Sequence, residues 1–342
     1  MVQRTSMSAI KSSISASTRF YWPLLALTAV LLINLVVSPE FFHLAIRDGR
    51  VYGSLIDVLN RSAPIALLAI GMSLVIATGG IDLSVGAVIA ISGAVCANLL
   101  NSGGDSISLV LLLGLAAGLV AGFINGTLVS VFDIQPIVAT LVLMVAGRGV
   151  AQLINHGQIV TFHNAAFASL GVGNVLGLPT PVIIALVTLL LVNVLFRCTA
   201  LGLFVEATGS NPLASHYAGV NVRAIRLTVY CIAGLCSALA GMIITADIQG
   251  ADANNAGLWS ELDAILAVVI GGASLAGGRF SLVLSVIGVL IIQALGTTIL
   301  MSGIPPRFNL LIKSLVIIAV LLLQSRTFRQ QLAALVKTGT LK

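Results

Sequence analysis

Long apolar runs alternate along the chain with short polar or Gly/Pro-rich breaks. Ten runs stand out, at roughly 21–39, 62–79, 83–101, 106–131, 135–154, 180–197, 224–246, 262–278, 281–302 and 308–325. A helix needs about 20 mainly apolar residues to cross a bilayer. The pattern therefore predicts an all-α polytopic membrane protein with about ten transmembrane helices. The third and eighth runs are rich in Gly and Ser and flanked by breakers. Either can be a re-entrant or broken segment, so eight or nine spans stay open.

Composition agrees with that picture. Of 342 residues, 58% are hydrophobic and 8% are charged, against about 25% charged in an ordinary soluble domain. Mean hydropathy is +1.12. A secreted enzyme, a nucleic-acid-binding domain and a disordered scaffold are excluded. The net charge of +6 is spread over segment ends, where the positive-inside rule places Lys and Arg.

With the N-terminus inside and ten spans, the cytoplasmic segments hold eleven basic residues: Arg4, Lys11, Arg19, Arg197, Arg223, Arg226, Arg279, Arg326, Arg329, Lys337 and Lys342. The external segments hold four, Arg47, Arg50, Arg61 and Arg307, while Arg148 and Lys313 fall within spans. The ratio predicts an N-in/C-in topology. Residues 1–20 then form a cytoplasmic N-terminal segment, 21–325 the transmembrane domain with a cytoplasmic loop at 197–223, and 326–342 a cytoplasmic tail. The first apolar run ends in Ser38-Pro39 without a small-x-small cleavage site, so it reads as a retained helix. Cys96, Cys198, Cys231 and Cys236 lie in or beside apolar runs without CxxC spacing. They read as small apolar fillers, not metal ligands.

Two patterns occur twice. Gly79-Gly80-Ile81-Asp82-Leu83-Ser84-Val85-Gly86 resembles Gly271-Gly272-Ala273-Ser274-Leu275-Ala276-Gly277-Gly278. Gly118, Gly126, Thr127, Ile134 and Pro136 recur as Gly288, Gly296, Thr297, Ile304 and Pro306 with identical spacing. A degenerate internal repeat is the natural explanation. The offsets differ, 192 against 170 residues, so one half carries about one extra span. The ten-span topology puts both Gly-Gly motifs on the same side, which a clean inverted repeat would not do.

The loop 197–223 is the longest cytoplasmic connection. Glu206-Ala207 can end a short helix at Gly209. Asn211 is a good N-cap with Pro212 at the first helical position. Leu213, Ala214 and Tyr217 then share one face before Gly219 stops the turn. Such a helix is either an ordinary surface helix or a knob for a cleft on a cytoplasmic partner.

Gly79-Gly80 breaks the second run, and Asp82 or Ser84 can cap the helix that restarts, with Gly86 allowing close approach. An acid at a helix break inside a membrane protein marks a pathway or gate by default; an interfacial cap is the plain alternative. Gly122-x-x-Asn125-Gly126 puts small residues and an amide on a packing face, where Asn125 either lines a polar path or bridges two helices. Arg148 lies inside the fifth run, where a charge costs about 2.5–3.5 kcal/mol on insertion scales. It needs a partner, and Glu261 and Asp263 are the acidic candidates for a structural ion pair. The outer loop 247–263 carries Asp247, Gln249, Asp252, Asn254, Asn255, Trp259, Glu261 and Asp263. That density of polar groups suits docking of an external protein, or a sugar-facing vestibule, or plain solvation. Segments 40–61 and 155–179 are further candidates for the same surface.

The sequence contains no GxxxxGK[ST] loop, no H-E-x-x-H and no suggestive Ser/His/Asp set. No cofactor and no catalytic residue is expected in this chain. If transport here is driven by ATP, another subunit hydrolyses it.

The string Gly79 to Gly86 resembles the permease subunits of bacterial sugar ABC importers of the ribose type. Gly122-x-x-Asn125-Gly126, Pro136-x-x-Ala139-Thr140-Leu141, Arg148-Gly149, Gly209-x-Asn211 to Gly219-Val220, and Glu261-Leu262-Asp263-Ala264-Ile265 leading to Gly271–Gly278 are similar to that family as well. The resemblance covers about residues 20–325. Asp48-Gly49-Arg50, Asp57 to Arg61 and Gly250 to Trp259 look most like its galactofuranose members, whose systems use two different permease chains.

The resemblance implies a fold, partners and residue roles. It implies a permease subunit in the bacterial inner membrane that moves a monosaccharide such as galactofuranose or ribose. A periplasmic sugar-binding protein docks outside, around Asp252, Asn254, Asn255 and Trp259. A second permease chain, a paralogue or a copy, completes the path. A cytoplasmic ABC ATPase, using ATP and Mg, grips the loop bearing Glu206, Gly209, Asn211, Ala214, Tyr217 and Gly219. Gly79, Gly80, Asp82, Ser84 and Asn125 are then path or gate candidates. The rival is a secondary sugar carrier driven by an ion gradient, which would use midplane acids such as Asp82 and Asp263. An intramembrane enzyme lacks a catalytic set. A branched-chain amino acid permease is the nearest non-sugar reading, and G-G-I-D-L-S-V-G argues against it.

Overall fold

The computed structural model describes residues 21–36, 39–47, 50–103 and 106–302, together with isolated positions between 305 and 322. The expected segments 1–20 and 326–342, and most of the expected run 308–325, lie outside the described residues.

Twelve α-helices are described between Tyr21 and Met301. They are α1 (Tyr21–Val36), α2 (Ser54–Ala77), α3 (Val85–Asn101), α4 (Ile107–Ser130), α5 (Pro136–Ile154), α6 (Ala165–Val172), α7 (Thr180–Cys198), α8 (Leu201–Ser210), α9 (Pro212–Tyr217), α10 (Val222–Ile248), α11 (Ser260–Ile270) and α12 (Leu282–Met301). Six of them, α2, α4, α5, α7, α10 and α12, are long and apolar enough to cross a membrane, and α1 and α3 are shorter apolar helices. The chain is an all-α polytopic membrane protein. Its only strand pairing among the described residues is in short two-stranded ladders.

Apolar runs and helices coincide where the run is uniform. The expected run 62–79 starts earlier than hydropathy suggests, because α2 begins at Ser54 and includes the polar turn Asp57 to Arg61. The eighth run, 262–278, is helical only to Ile270. Gly271 and Gly272 end it, with Gly272 at φ 88 and Gly277 and Gly278 also left-handed, a conformation that glycine adopts at no steric cost.

The centre of the bundle is α2, 78% buried over its most apolar window, with α10 and α12 at 61% and 56%. The helices α4, α5 and α7 are at 22–28% and turn large apolar side chains outward, among them Leu112, Val120, Leu153 and Leu190. An outward apolar face is what lipid, or another apolar chain, requires.

Helices in lipid gain little from apolar contact alone and associate by close packing of small residues. The α4–α10 pair is built that way. A Cβ on Gly122 would strike the Tyr230 carbonyl, one on Gly118 would come within 2.5 Å of the Gly234 carbonyl, and one on Gly126 within 2.7 Å of Leu227. Three glycines at four-residue spacing thus bring one face of α4 onto the α10 backbone. Replacing Gly122 by Leu overpacks this seam. The expected cost exceeds the about 1–3 kcal/mol of a typical overpacking change. The purified variant should lose its monodisperse peak in size-exclusion chromatography at a temperature where wild type and Gly149→Ala, at a glycine with open space around it, keep theirs.

Candidate functional site

Three polar constellations hold the residues singled out by sequence. The first lies where α2 breaks. Helix α2 stops at Ala77, Gly79 takes φ 82, and residues 80–84 run without helical hydrogen bonds until α3 starts at Val85. Broken backbone in a membrane protein needs internal partners, and side chains provide them. Asp82 Oδ1 accepts from the Ser84 amide at 2.9 Å and from Ser84 Oγ at 2.6 Å. Asn125 Nδ2, from α4, donates to Ser84 Oγ at 2.8 Å and reaches Asp82 Oδ1 at 3.5 Å. Asp82, Ser84 and Asn125 are 2%, 0% and 0% exposed. Thr140 of α5 donates to the Ile81 carbonyl at 3.1 Å. The Tyr230 hydroxyl of α10 faces Gly80, whose Cβ would lie 2.7 Å from it.

Thus α3, α4, α5 and α10 meet at one break. Asp82, Ser84 and Asn125 are legible in the sequence as polar residues at a helix break and on a packing face. Thr140 stands in the Pro136–Leu141 motif with nothing local to mark its bond to the break. Tyr230 sits in an apolar run, where its only signal was a polar tip that needs a partner.

The second constellation is at the end of the bundle holding the 197–223 loop. Asn211 Oδ1 accepts from the Ala214 amide at 3.0 Å and Pro212 opens α9, as the capping pattern predicts. Ser215 turns inward, whereas Leu213 and Tyr217 are 64% and 80% exposed. Gly219, at φ 87, reverses the chain into α10. Glu206 and Gly209 sit on α8, and Gly209 is held backbone to backbone. A Cβ there would overlap the Ala77 carbonyl and lie 2.6 Å from Gly278 N. Gly278 N donates to that same Ala77 carbonyl at 2.9 Å. A Cβ on Gly277 would lie 2.8 Å from the Gly209 carbonyl and 3.0 Å from Gly79 N. The two Gly-Gly motifs and the loop therefore meet at a single three-way contact.

The third constellation is the loop 249–259. Residues 250–251 pair with Val160–Thr161. Asp252 accepts from the Asn254 and Asn255 amides at 2.9 and 3.2 Å and from Asn255 Nδ2 at 2.7 Å. The Asn255 side chain, ahead of the two amides, holds the Asp252 carboxyl below its ordinary range. Gln152 of α5 donates to Asn254 Oδ1 at 2.6 Å, and Asn155 donates to the Ala251 carbonyl at 2.9 Å. Arg148 donates to the carbonyls of Ala253 and Ala256 at 3.1 and 2.6 Å.

The Arg148 hydrogen bonds thus go to loop carbonyls, with Glu261 and Asp252 as its carboxylate neighbours in space. Asp263 lies further along α11 and acts electrostatically on Glu261. Glu261 Oε2 lies against Gly86, whose Cβ would be 2.6 Å from it and 2.5 Å from the Gly257 carbonyl. The start of α11 is therefore packed on the start of α3. Trp259 is the N-cap of α11 in a left-handed conformation, φ 66, and is 56% exposed.

The second and third constellations lie at opposite ends. Pro136 starts α5 beside Gly80, and Gln152 and Asn155 at its far end hold the 249–259 loop. Nineteen residues at 1.5 Å each put roughly 28 Å between them. Helix α10 makes the same connection directly, with its N-cap Asn221 following α9 and its C-cap Gln249 entering the loop.

Comparison with known proteins agrees with this architecture. The family model described as "Branched-chain amino acid transport system / permease component" matches residues 54–321. The galactofuranose transporter permease protein YtfT of Escherichia coli K12 is 59% identical over 315 residues, 91% of this chain and 92% of that one. The fructose import permease protein FruF of Bifidobacterium longum is 37% identical, covering 90% and 88% of the two chains. The ribose import permease protein RbsC of E. coli K12 is 36% identical, covering 89% and 92%. No solved structure matches the chain. With a family model matched from α2 onward and relatives aligned over about nine tenths of their length, this chain belongs to the BPD_transp_2 family of membrane transport permeases.

Proposed function

We propose that the chain is the membrane-spanning permease subunit of an ATP-binding-cassette importer in the bacterial inner membrane. Its cargo is a monosaccharide delivered by a periplasmic binding protein, with galactofuranose the first choice. The observation that carries this reading is the 59% identity to the galactofuranose permease along nearly the whole chain. ATP and Mg are used by a separate cytoplasmic ATPase. A second permease chain, a paralogue by analogy with the galactofuranose system, completes the path.

In this reading the chain has ten spans and an N-in/C-in topology, with α8 and α9 on the cytoplasmic side. The meeting of Gly79, Gly209 and Gly277 at one end supports it, since ten spans put all three on that side. The exposed Leu213 and Tyr217 form the knob that enters the ATPase. The 249–259 loop, with Asp252, Asn254, Asn255 and Trp259, faces the binding protein. Arg148, with Glu261 beside it, anchors that loop through its carbonyls. The two Gly-Gly motifs are the trace of an internal repeat.

Mechanically, α10 links the ATPase end to the docking end, and the glycine contact at Ala77, Gly209 and Gly277 ties the loop to the helix break. Backbone touching backbone leaves no side-chain slack. A shift of α8 is transmitted to Ala77–Gly79, and from there to the bonded group Asp82, Ser84 and Asn125. Those three side chains are path-controlling by holding the break closed.

Three expected outcomes test this. Tagged chain extracted from its own membrane should bring down a tandem-domain ATPase and a second permease. Recovery of neither, even after cross-linking through the 206–219 loop, would favour a gradient-driven carrier instead. Tyr217→Ala should weaken ATPase retention by about 10–100-fold, equivalent to roughly 1.4–2.8 kcal/mol, with the α10 cap intact. Gly209→Ala forces a Cβ into the Ala77 carbonyl. Sugar uptake should fall more than tenfold while the assembled complex still hydrolyses ATP; unchanged uptake would remove the mechanical role given to that contact.

A further inference from the structure

Beneath α9 lies a cleft of about 900 Å³, walled by the end of α4, the α4–α5 turn, α9 and the start of α10. Its charged and polar lining includes Ser130, Asp133, His216, Asn221, Arg223 and Arg226. The charge arrangement is unusual for a helix start. The N-terminus of a helix carries about half a positive charge and favours anions. The 27-residue α10 has no acid in its first turn and places Arg223 there, with Arg226 one turn on. Two guanidinium groups and the positive helix end thus converge on one cavity, opposed on its wall by Asp133. Independently, Ser130 is 6% exposed and its Oγ has no hydrogen-bond partner. A buried hydroxyl left unpaired costs about 1–3 kcal/mol, and Ser130 lies on the wall of this cleft.

We propose that this cleft is a binding site for a phosphate group. A tetrahedral phosphate anion satisfies each unusual feature together. It accepts paired N–H bonds from the planar Arg forks, takes the dipole of α10 and gives the Ser130 hydroxyl an acceptor. The phosphate can be the headgroup of an anionic lipid, since the cleft lies at the end of the bundle, or part of a soluble phosphorylated molecule. Occupancy would brace α9 against α10. That consequence for transport rests on the function proposed above; the binding itself does not.

The test uses the chain purified with whatever subunits accompany it, delipidated in neutral detergent, with thermal unfolding followed at constant ionic strength. Inorganic phosphate replaces chloride in one arm. In the other, the protein is placed in nanodiscs of phosphatidylcholine with or without phosphatidylglycerol. Stabilisation by phosphate in detergent assigns a soluble source, and stabilisation by phosphatidylglycerol alone assigns the lipid. In either case the half-saturating concentration should rise about tenfold or more in Arg226→Gln, the loss of roughly one charge-assisted contact, and severalfold in Ser130→Ala. Arg223→Gln, at an exposed position, keeps the test open if Arg226→Gln does not fold. No shift with either ligand, or shifts that Arg223→Gln and Arg226→Gln leave unchanged, would overturn the site.

Discussion

Backbone that leaves helical geometry inside a membrane protein must find its hydrogen bonds within the protein. This chain leaves helical geometry between α2 and α3 and again between α10 and α11, and much of its buried polar chemistry answers that demand. Asp82 and Ser84 secure the first break from within it, and Asn125 and Thr140 secure it from α4 and α5. Arg148 and Asn155 secure the second by donating to the carbonyls of Ala251, Ala253 and Ala256. The two breaks meet where Gly86 lies under Gly257 and Glu261. A residue larger than glycine at Gly86 would part them, so one contact registers α3 against α11.

That registration explains why polar residues scattered over the sequence end up in few places. Asn98 and Asn155 bond to each other at 2.7 Å, and Asn155 goes on to the loop, so α3, α5 and residue 251 are tied in one chain of amides. Arg148 lies about two turns before Asn155, the C-cap of α5, and so close to the same face. The loop therefore receives both donors from one helix. A salt bridge to a single carboxylate would have fixed one point. Two carbonyl bonds from the same Nη1 fix the path of the backbone between Ala253 and Ala256.

Sequence patterning revealed what is local. The Asn211-Pro212 start of α9 with its exposed Leu213 and Tyr217, the interruption at Gly79-Gly80, and the small-residue face around Gly122 all follow from capping, glycine and four-residue periodicity. What stayed hidden is what depends on long-range pairing. The charge on Arg148 predicts a partner and points to acids, of which Glu261 does act on it; the carbonyls of Ala253 and Ala256 that take its hydrogen bonds carry no sequence signature. Tyr230 and Thr140 join the Asp82 group only because α10 and α5 pack there. The run 262–278 kept its hydropathy past Ile270, and hydropathy does not register the left-handed turns at Gly272, Gly277 and Gly278. The start of α2 erred the other way, since its first turns carry Asp57, Asn60 and Arg61 and look like loop.

The three-way glycine contact gives those turns a purpose. A helix continued through 271–278 would pass the C-terminal end of α2 and could not place Gly278 N on the Ala77 carbonyl. Ending α11 early frees that segment to fold back under α2, where it holds both the last turn of α2 and Gly209 of α8. The motif that looks like a repeat of Gly79–Gly86 thus serves a different end here. Gly79 and Gly80 open a helix in the bundle, whereas Gly277 and Gly278 clamp the opened end to the loop. The two strings are alike in sequence and differ in what they touch. Asp82 sits where broken backbone needs a carboxylate, whereas the Oγ of Ser274, its counterpart in the turn, accepts from the Ala276 amide two residues on.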